Sequence, residues 1–268
     1  MKKGILYICL LAICLLVTAC GGKPAAKEGA KSLKVGATSV PHAEILNFVK
    51  PLLAKEGIEM TVVEMSDYVR PNMAVSDKEL DANFFQHTPY LEKFIADRKL
   101  SLVKVTGVHI EPMGIYSKKL KDVNSLPSGA VIAIPNDPTN GGRALLLLDK
   151  AGVIKLKSGA GITATVGDIA ENLKSVKIKE IEAPQLPRTL DDVSLAVINT
   201  NYALDAKLNP TKDALVIEDK NSPYVNILVA RGGDEKRPEI QALAKVLNSP
   251  DVKKFIQDKY QGAVVAAF

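Results

Sequence analysis

Tyr68, Phe84, Phe85 and Tyr90 fall within one 23-residue window of a chain that has 13 Phe and Tyr in 268 residues, and His87 sits among them. In Asp81-Ala-Asn-Phe-Phe-Gln-His-Thr-Pro-Tyr90 the pattern places Pro89 at the first position of a helix, with Thr88 as its N-cap. Aromatic faces and an imidazole gathered before a helix suit a ligand with an apolar and a polar part. Core packing is the competing reading for some of these rings. If the segment is extended, Phe84 and Phe85 point to opposite sides and one of them is core.

A second constellation lies in Ala130-Val-Ile-Ala-Ile-Pro-Asn-Asp-Pro-Thr-Asn-Gly-Gly-Arg143, which reads as strand, turn and helix start, with Asp137 as N-cap and Pro138 behind it. Amides at such a start face an anion, and the Arg143 fork matches a carboxylate or phosphate unless it forms a surface ion pair. The glycines permit close approach of backbone or ligand. No Walker loop is present, and Gly159-Ala-Gly161 lacks dinucleotide-fingerprint spacing. Asn199 or Asn201 follows the apolar strand Leu195 to Ile198, and Asn226 interrupts another apolar run. Each needs a partner if buried: either the backbone, or a ligand ammonium on the amide oxygen.

No catalytic set assembles. His42, His87 and His109 lack metal-binding spacing, no G-x-S-x-G elbow occurs, and Asp191-Asp192 reads as a turn cap. Neither a metal nor a cofactor is expected.

The ends set the compartment. Lys2 and Lys3, an apolar run of 13 residues from Ile5 to Val17, and Val17-Thr18-Ala19-Cys20 read as a lipoprotein leader (1–19) cut before a lipidated Cys20. The run is shorter than the ~20 residues that span a bilayer. Cys9 and Cys14 leave with the leader, so the mature chain has no cysteine pair. Lys2 and Lys3 leave too, so 33 of the 35 basic residues remain against 30 acidic ones, a formal +3. The charges are scattered, and no nucleic-acid partner is implied. Residues 20–32 read as a flexible tether of roughly 20 Å root-mean-square span.

From Leu33 the pattern is α/β. Strands are expected at 33–37, 60–64, 130–134, 177–182 and 195–198, and helices at 43–55, 89–97, 141–151, 238–247 and 251–260. Long extended stretches cover 102–116 and 224–231. The alternation predicts mostly parallel sheets in two lobes: 31–115 with 222–268, and 116–221. The extended stretches cross between them, the last two helices return to the first lobe, and a ligand cleft lies between. A single doubly wound sheet is the alternative.

The strings Tyr68-Val-Arg-Pro-Asn72, Asp81 to Tyr90, Pro135-Asn-Asp-Pro-Thr-Asn140, Glu182-Ala-Pro-Gln-Leu-Pro-Arg188, Ala196-Val-Ile-Asn-Thr200 and Ser222-Pro-Tyr-Val-Asn226 closely resemble the MetQ/NlpA family of methionine-binding lipoproteins, in register from about Leu33 to Phe268. The resemblance implies a two-lobed periplasmic-binding-protein fold of the second type. It implies a monomer held to the cell membrane by lipid, facing the periplasm or the outside, that captures L- or D-methionine for an ABC permease and its cytoplasmic ATPase. Carried over, the pocket falls on Tyr68, Phe85, His87 and Tyr90 around the thioether, Arg143 at the carboxylate, and Asn201 and Asn226 around the amino group and carboxylate. It favours Phe85 over Phe84 and Asn201 over Asn199. Residues 38–44 vary across the family, so His42 and Glu44 receive no role. Alternatives are a receptor for a methionine-containing dipeptide such as glycyl-methionine, or a surface interaction lipoprotein that keeps the fold. An enzyme is the weakest reading.

Overall fold

A computed structural model describes residues 31–219 and 222–268. The leader, Cys20 and most of the expected tether lie outside the described residues. Lys31 and Ser32, read as the end of the tether, already belong to a strand.

The chain runs β1 (Lys31–Ala37), α1 (Glu44–Lys55), β2 (Ile58–Glu64), α2 (Arg70–Ser76), β3 (Ala82–His87), α3 (Thr88–Arg98) and β4 (Leu102–Ile110). Next come β5 (Gly114–Tyr116), β6 (Val131–Pro135), α4 (Pro138–Lys150), β7 (Lys155–Leu156), β8 (Ile169–Glu171), β9 (Lys177–Ile181), β10 (Leu195–Ile198), α5 (Thr200–Asp205), α6 (Pro210–Asp213) and β11 (Val216–Ile217). β12 (Val225–Arg231), α7 (Pro238–Leu247), α8 (Pro250–Tyr260) and β13 (Val265–Ala266) close it. The first sheet has the order β13-β4-β12-β3-β1-β2 and the second β11-β5-β10-β6-β9, with β7 and β8 forming a separate pair.

Both sheets are mixed, which corrects the expectation of mostly parallel ones. β1 pairs parallel with β2 and β3, and β6 with β9 and β10, through helical crossovers. β12, β4 and β5 pair antiparallel. Crossovers within one sheet impose parallel pairing, whereas strands that change sheets escape that constraint. The expected extended stretch 102–116 is two strands, broken at 111–113 where the chain passes from the first sheet to the second.

Phe84 and Phe85 do face opposite sides of β3. Phe84 is fully buried beneath α1, α7 and α8 with Leu33, Ile45, Leu228, Leu243 and Ile256. Phe85 joins Tyr90 and Phe94 on the other face. The second sheet is packed by α4 through Leu145 and Leu148 against Ile132, Ile134 and Val197. Gly142 serves backbone rather than ligand: a Cβ there would meet Ile162 O at 2.3 Å, so the 162–164 loop lies against α4. Among the described residues no helix is long and apolar enough to cross a membrane.

Phe84→Ala is expected to cost about 3–5 kcal/mol of stability by leaving a cavity in this core. Urea unfolding checks it; a loss below about 1 kcal/mol would mean the ring is not a core element.

Candidate functional site

Every residue singled out as a ligand contact lines one cavity: Tyr68, Phe85, His87, Tyr90, Arg143, Asn201 and Asn226. Gln86, Glu111, Asn140, Asn199 and Thr200 complete the lining. The elements converge from both sheets. Phe85 to His87 end β3, Tyr90 is in the first turn of α3, and Asn226 is on β12 between His87 of β3 and His109 of β4. Asn140 and Arg143 open α4 after β6, and Asn199 to Asn201 open α5 after β10. β3, β6 and β10, each with a parallel neighbour, deliver their side chains at or just beyond their carboxyl ends, the usual place for ligands in α/β sheets, while Asn226 comes from the amino end of antiparallel β12.

The aromatic side is a cluster of rings at edge and tilted angles. Tyr68 lies 5.8 Å from Phe85 and 5.8 Å from Tyr90, and Tyr202 backs Tyr68 at 5.0 Å. The Tyr90 hydroxyl donates to Tyr68 O at 2.9 Å, fixing the two residues together. Such a wall takes an apolar or thioether group.

His87, not Thr88, caps α3: its Nδ1 accepts the Tyr90 N–H at 3.1 Å. A nitrogen that accepts carries no proton, so the proton is on Nε2, which donates to Asn140 Oδ1 at 3.1 Å. Burial, and then the nearby Arg143 charge, lower the imidazole to about 3, so it is neutral. Asn140 Oδ1 also accepts from Asn199 Nδ2 at 2.9 Å, while the Asn140 amide protons go to Asp137. Asp137 caps α4 as the pattern predicts, accepting the Asn140 N–H at 2.9 Å.

Arg143 is 3% exposed, and its fork is held by the protein. Nε donates to Glu218 Oε1 at 2.8 Å and Nη2 to Glu218 Oε2 at 2.5 Å, with Nη2 also bonding Glu111 O at 2.8 Å. The guanidinium stacks 4.0 Å above the Tyr224 ring. The bidentate face expected for a ligand carboxylate is therefore committed to Glu218, and among the described residues Nη1 has no hydrogen-bond partner.

The two asparagines also have engaged oxygens. Tyr68 OH donates to Asn201 Oδ1 at 2.6 Å. Asn226 Oδ1 lies 3.1 Å from His42 Nε2. His42 Nε2 is also 3.2 Å from Glu111 Oε1, so it must carry the proton, and Nδ1 accepts from Thr38 Oγ1 at 2.7 Å. Each of these oxygens thus already accepts one hydrogen bond and keeps a second lone pair.

Sequence reasoning missed Glu111, and a signal existed: His109 and Glu111 are two apart in an apolar stretch, the spacing of one strand face. It also gave His42 no role, yet His42 backs Asn226. Among the described residues His42, His109 and Glu111 form a trio of metal-ligand type, within 4.8 Å of one another. Their contacts are hydrogen bonds: His109 Nε2 to Glu111 Oε1 is 2.7 Å. Two ligands ~2.0–2.2 Å from a tetrahedral metal would stand farther apart.

The NlpA lipoprotein family profile matches residues 33–268. The chain is 43% identical over 265 residues to the probable D-methionine-binding lipoprotein MetQ of Vibrio cholerae, covering 98% of this chain and 97% of that one. It is 43% identical over 271 residues to the methionine-binding lipoprotein MetQ of Bacillus subtilis, covering 99% and 98%. A nutrient binding protein from Burkholderia cenocepacia, solved bound to methionine, superposes with a TM-score of 0.86 at 49% identity, over 88% of this chain and all of that one. Full-length similarity of sequence and backbone places the chain in the NlpA lipoprotein family.

Proposed function

We propose that this chain is the lipid-anchored substrate-binding protein of an ABC importer and that its cavity takes methionine. The observation that carries the reading is the division of one cavity into an aromatic side (Tyr68, Phe85, Tyr90) and a polar side (Arg143, Asn201, Asn226). Relatives across the full length carry the methionine-binding name, and the similar Burkholderia protein was solved with methionine. The two sheets then correspond to two lobes close to the expected 31–115 with 222–268 and 116–221, the first crossing falling at 111–113 because β5 pairs in the second sheet, and the cavity corresponds to the cleft between them. Cys20 supplies the membrane anchor and a permease with its ATPase the destination.

Magnitudes decide where affinity arises. Burying a methionine side chain contributes roughly 1.5–3 kcal/mol, and sulfur against aromatic edges ~0.3–1.5 more. Together these approach only the ~4 kcal/mol of a millimolar complex. The polar end must supply the rest. Arg143 Nη1 and the Asn201 and Asn226 amides give charge-assisted hydrogen bonds to the ligand carboxylate, each worth about 1.5–3 kcal/mol.

Calorimetry of the protein, freed of copurified ligand, with L-methionine, D-methionine and glycyl-methionine tests this; absence of heat with all three sinks the methionine reading. Asn226→Ala and Arg143→Ala are each expected to weaken binding by roughly 10- to 100-fold, and retained tight binding in either would remove that residue from the site. Glu218→Ala strands the buried Arg143 charge and is expected to cost about 3–5 kcal/mol in urea unfolding. A loss below about 1 kcal/mol would show that Arg143 finds another partner.

A further inference from the structure

Glu111 is the carboxylate among the cavity-lining side chains, and the ligand contacts argued above leave it unused. It is 6% exposed. His109 Nε2 donates to its Oε1 at 2.7 Å, and His42 Nε2 lies 3.2 Å from the same oxygen. Burial lowers His42 to about 4 and His109 to about 3. At neutral pH both imidazoles are uncharged: His109 donates its N–H to Glu111, and His42, whose Nε2–H bonds Asn226, lies beside the carboxylate without a positive charge. Arg143, the nearest cation, is paired with Glu218. Among the described residues, the wall therefore keeps one carboxylate whose charge no cation neutralises in full.

The remaining acceptors point the same way. The oxygens of Asn201 and Asn226 are engaged by Tyr68 and His42. Asn199 Oδ1 is buried in the same lining without a hydrogen-bond partner. Residues 199–201 lie beside 111–112, with the Thr200 hydroxyl donating to Pro112 O. A ligand entering here meets donors from Arg143, Asn201 and Asn226, and acceptors from Glu111 and Asn199.

We propose that Glu111 is the counter-ion of the ligand's α-ammonium group, with His42 and His109 acting as positioning residues that hold its carboxylate from behind. The assignment rests on the reading that the ligand is an amino acid. It makes the cavity selective for a free ammonium over an acylated or absent one, because a ligand without it leaves a desolvated carboxylate unpaired. Burial raises Glu111 above its ordinary range, and an ammonium beside it draws it back down, so capture favours the ionised form. The groups facing it are His42, His109, Arg143 and, farther off, Tyr68 and Tyr260.

The test uses the full-length protein in detergent, freed of copurified ligand, and calorimetry with two probes: L-methionine and 4-(methylthio)butanoate, which keeps the thioether and carboxylate but lacks the ammonium. Glu111→Gln is expected to weaken L-methionine by about 100-fold or more and to change the desamino probe by less than about threefold, or improve it. Unchanged L-methionine affinity, or an equal loss for both probes, overturns the assignment. Should the wild type bind another α-amino acid and not methionine, the methionine reading fails, and that amino acid with its own desamino analogue tests Glu111 by the same criterion. No binding of any α-amino acid overturns both.

The histidines are read through pH. Protonation of Glu111 as pH falls removes the counter-ion. His109→Phe, which deletes a donor, is therefore expected to move the acid limb of L-methionine binding up by about one pH unit, and His109→Gln, which keeps a donor, to restore it. Superimposed profiles for wild type and both variants overturn the positioning role. A melting temperature raised by zinc alone and lost in His109→Gln would show that the trio holds a metal, and would overturn the proposal.

Discussion

Arg143 carries a full positive charge almost wholly removed from water, and most of the polar wall follows from what that requires. A buried guanidinium unpaired would cost several kcal/mol, so it is met by a bidentate carboxylate, a carbonyl and an aromatic face. Those partners are Glu218, Glu111 O and Tyr224. They come from three separate stretches of chain: the segment after β11, the link after β4 and the residue just before β12. Satisfying one charge thus fixes where both strand connections between the sheets lie.

The histidines meet the same constraint with a different outcome. All three are buried and held neutral by desolvation. A neutral imidazole has one donor and one acceptor, and the partners decide which nitrogen is which. At His87 the acceptor caps α3 and the donor reaches Asn140; at His42 the acceptor takes Thr38 and the donor faces Asn226 and Glu111. Each of these two rings therefore ties a local contact, the Tyr90 backbone N–H at His87 and the Thr38 hydroxyl at His42, to the orientation of an amide or carboxylate at the cavity.

Local features were legible in the sequence because they are written in adjacent residues. The aromatic cluster, the Asp137 cap and the helices at 44–55, 138–150 and 238–260 all follow from composition, periodicity and caps. β3 was not legible as a strand. All six of its residues are buried, including Asn83, Gln86 and His87, so no alternation of polar and apolar residues marks it. What buries the amides is a network with Asn72 on α2, whose side chain bonds both Asn83 and Gln86. The pairing of Arg143 with Glu218 was equally hidden, since a charge 75 residues away in sequence is chosen by the fold and not by spacing.

Several of the contacts that join the two sheets around the cavity are polar, beside the packing of the Tyr68 ring on Tyr202. His87 to Asn140, Tyr68 to Asn201, Arg143 to Glu111 O and Tyr202 to Ser66 O are hydrogen bonds. Each such bond replaces bonds to water and contributes only about 0.5–1.5 kcal/mol net, more where a charge is involved. A hydrophobic seam of the same extent would resist opening much more strongly. On the two-lobed reading this composition leaves the closed arrangement near balance with a hydrated open one. Under the proposed methionine reading, a ligand that adds a buried thioether and two compensated charges supplies the difference, and its departure restores the balance. The aromatic rings are the exception that gives the balance direction. Tyr68, Phe85 and Tyr90 cannot exchange their contacts for water without loss, so the apolar end of the ligand is best covered when the polar bonds are also made.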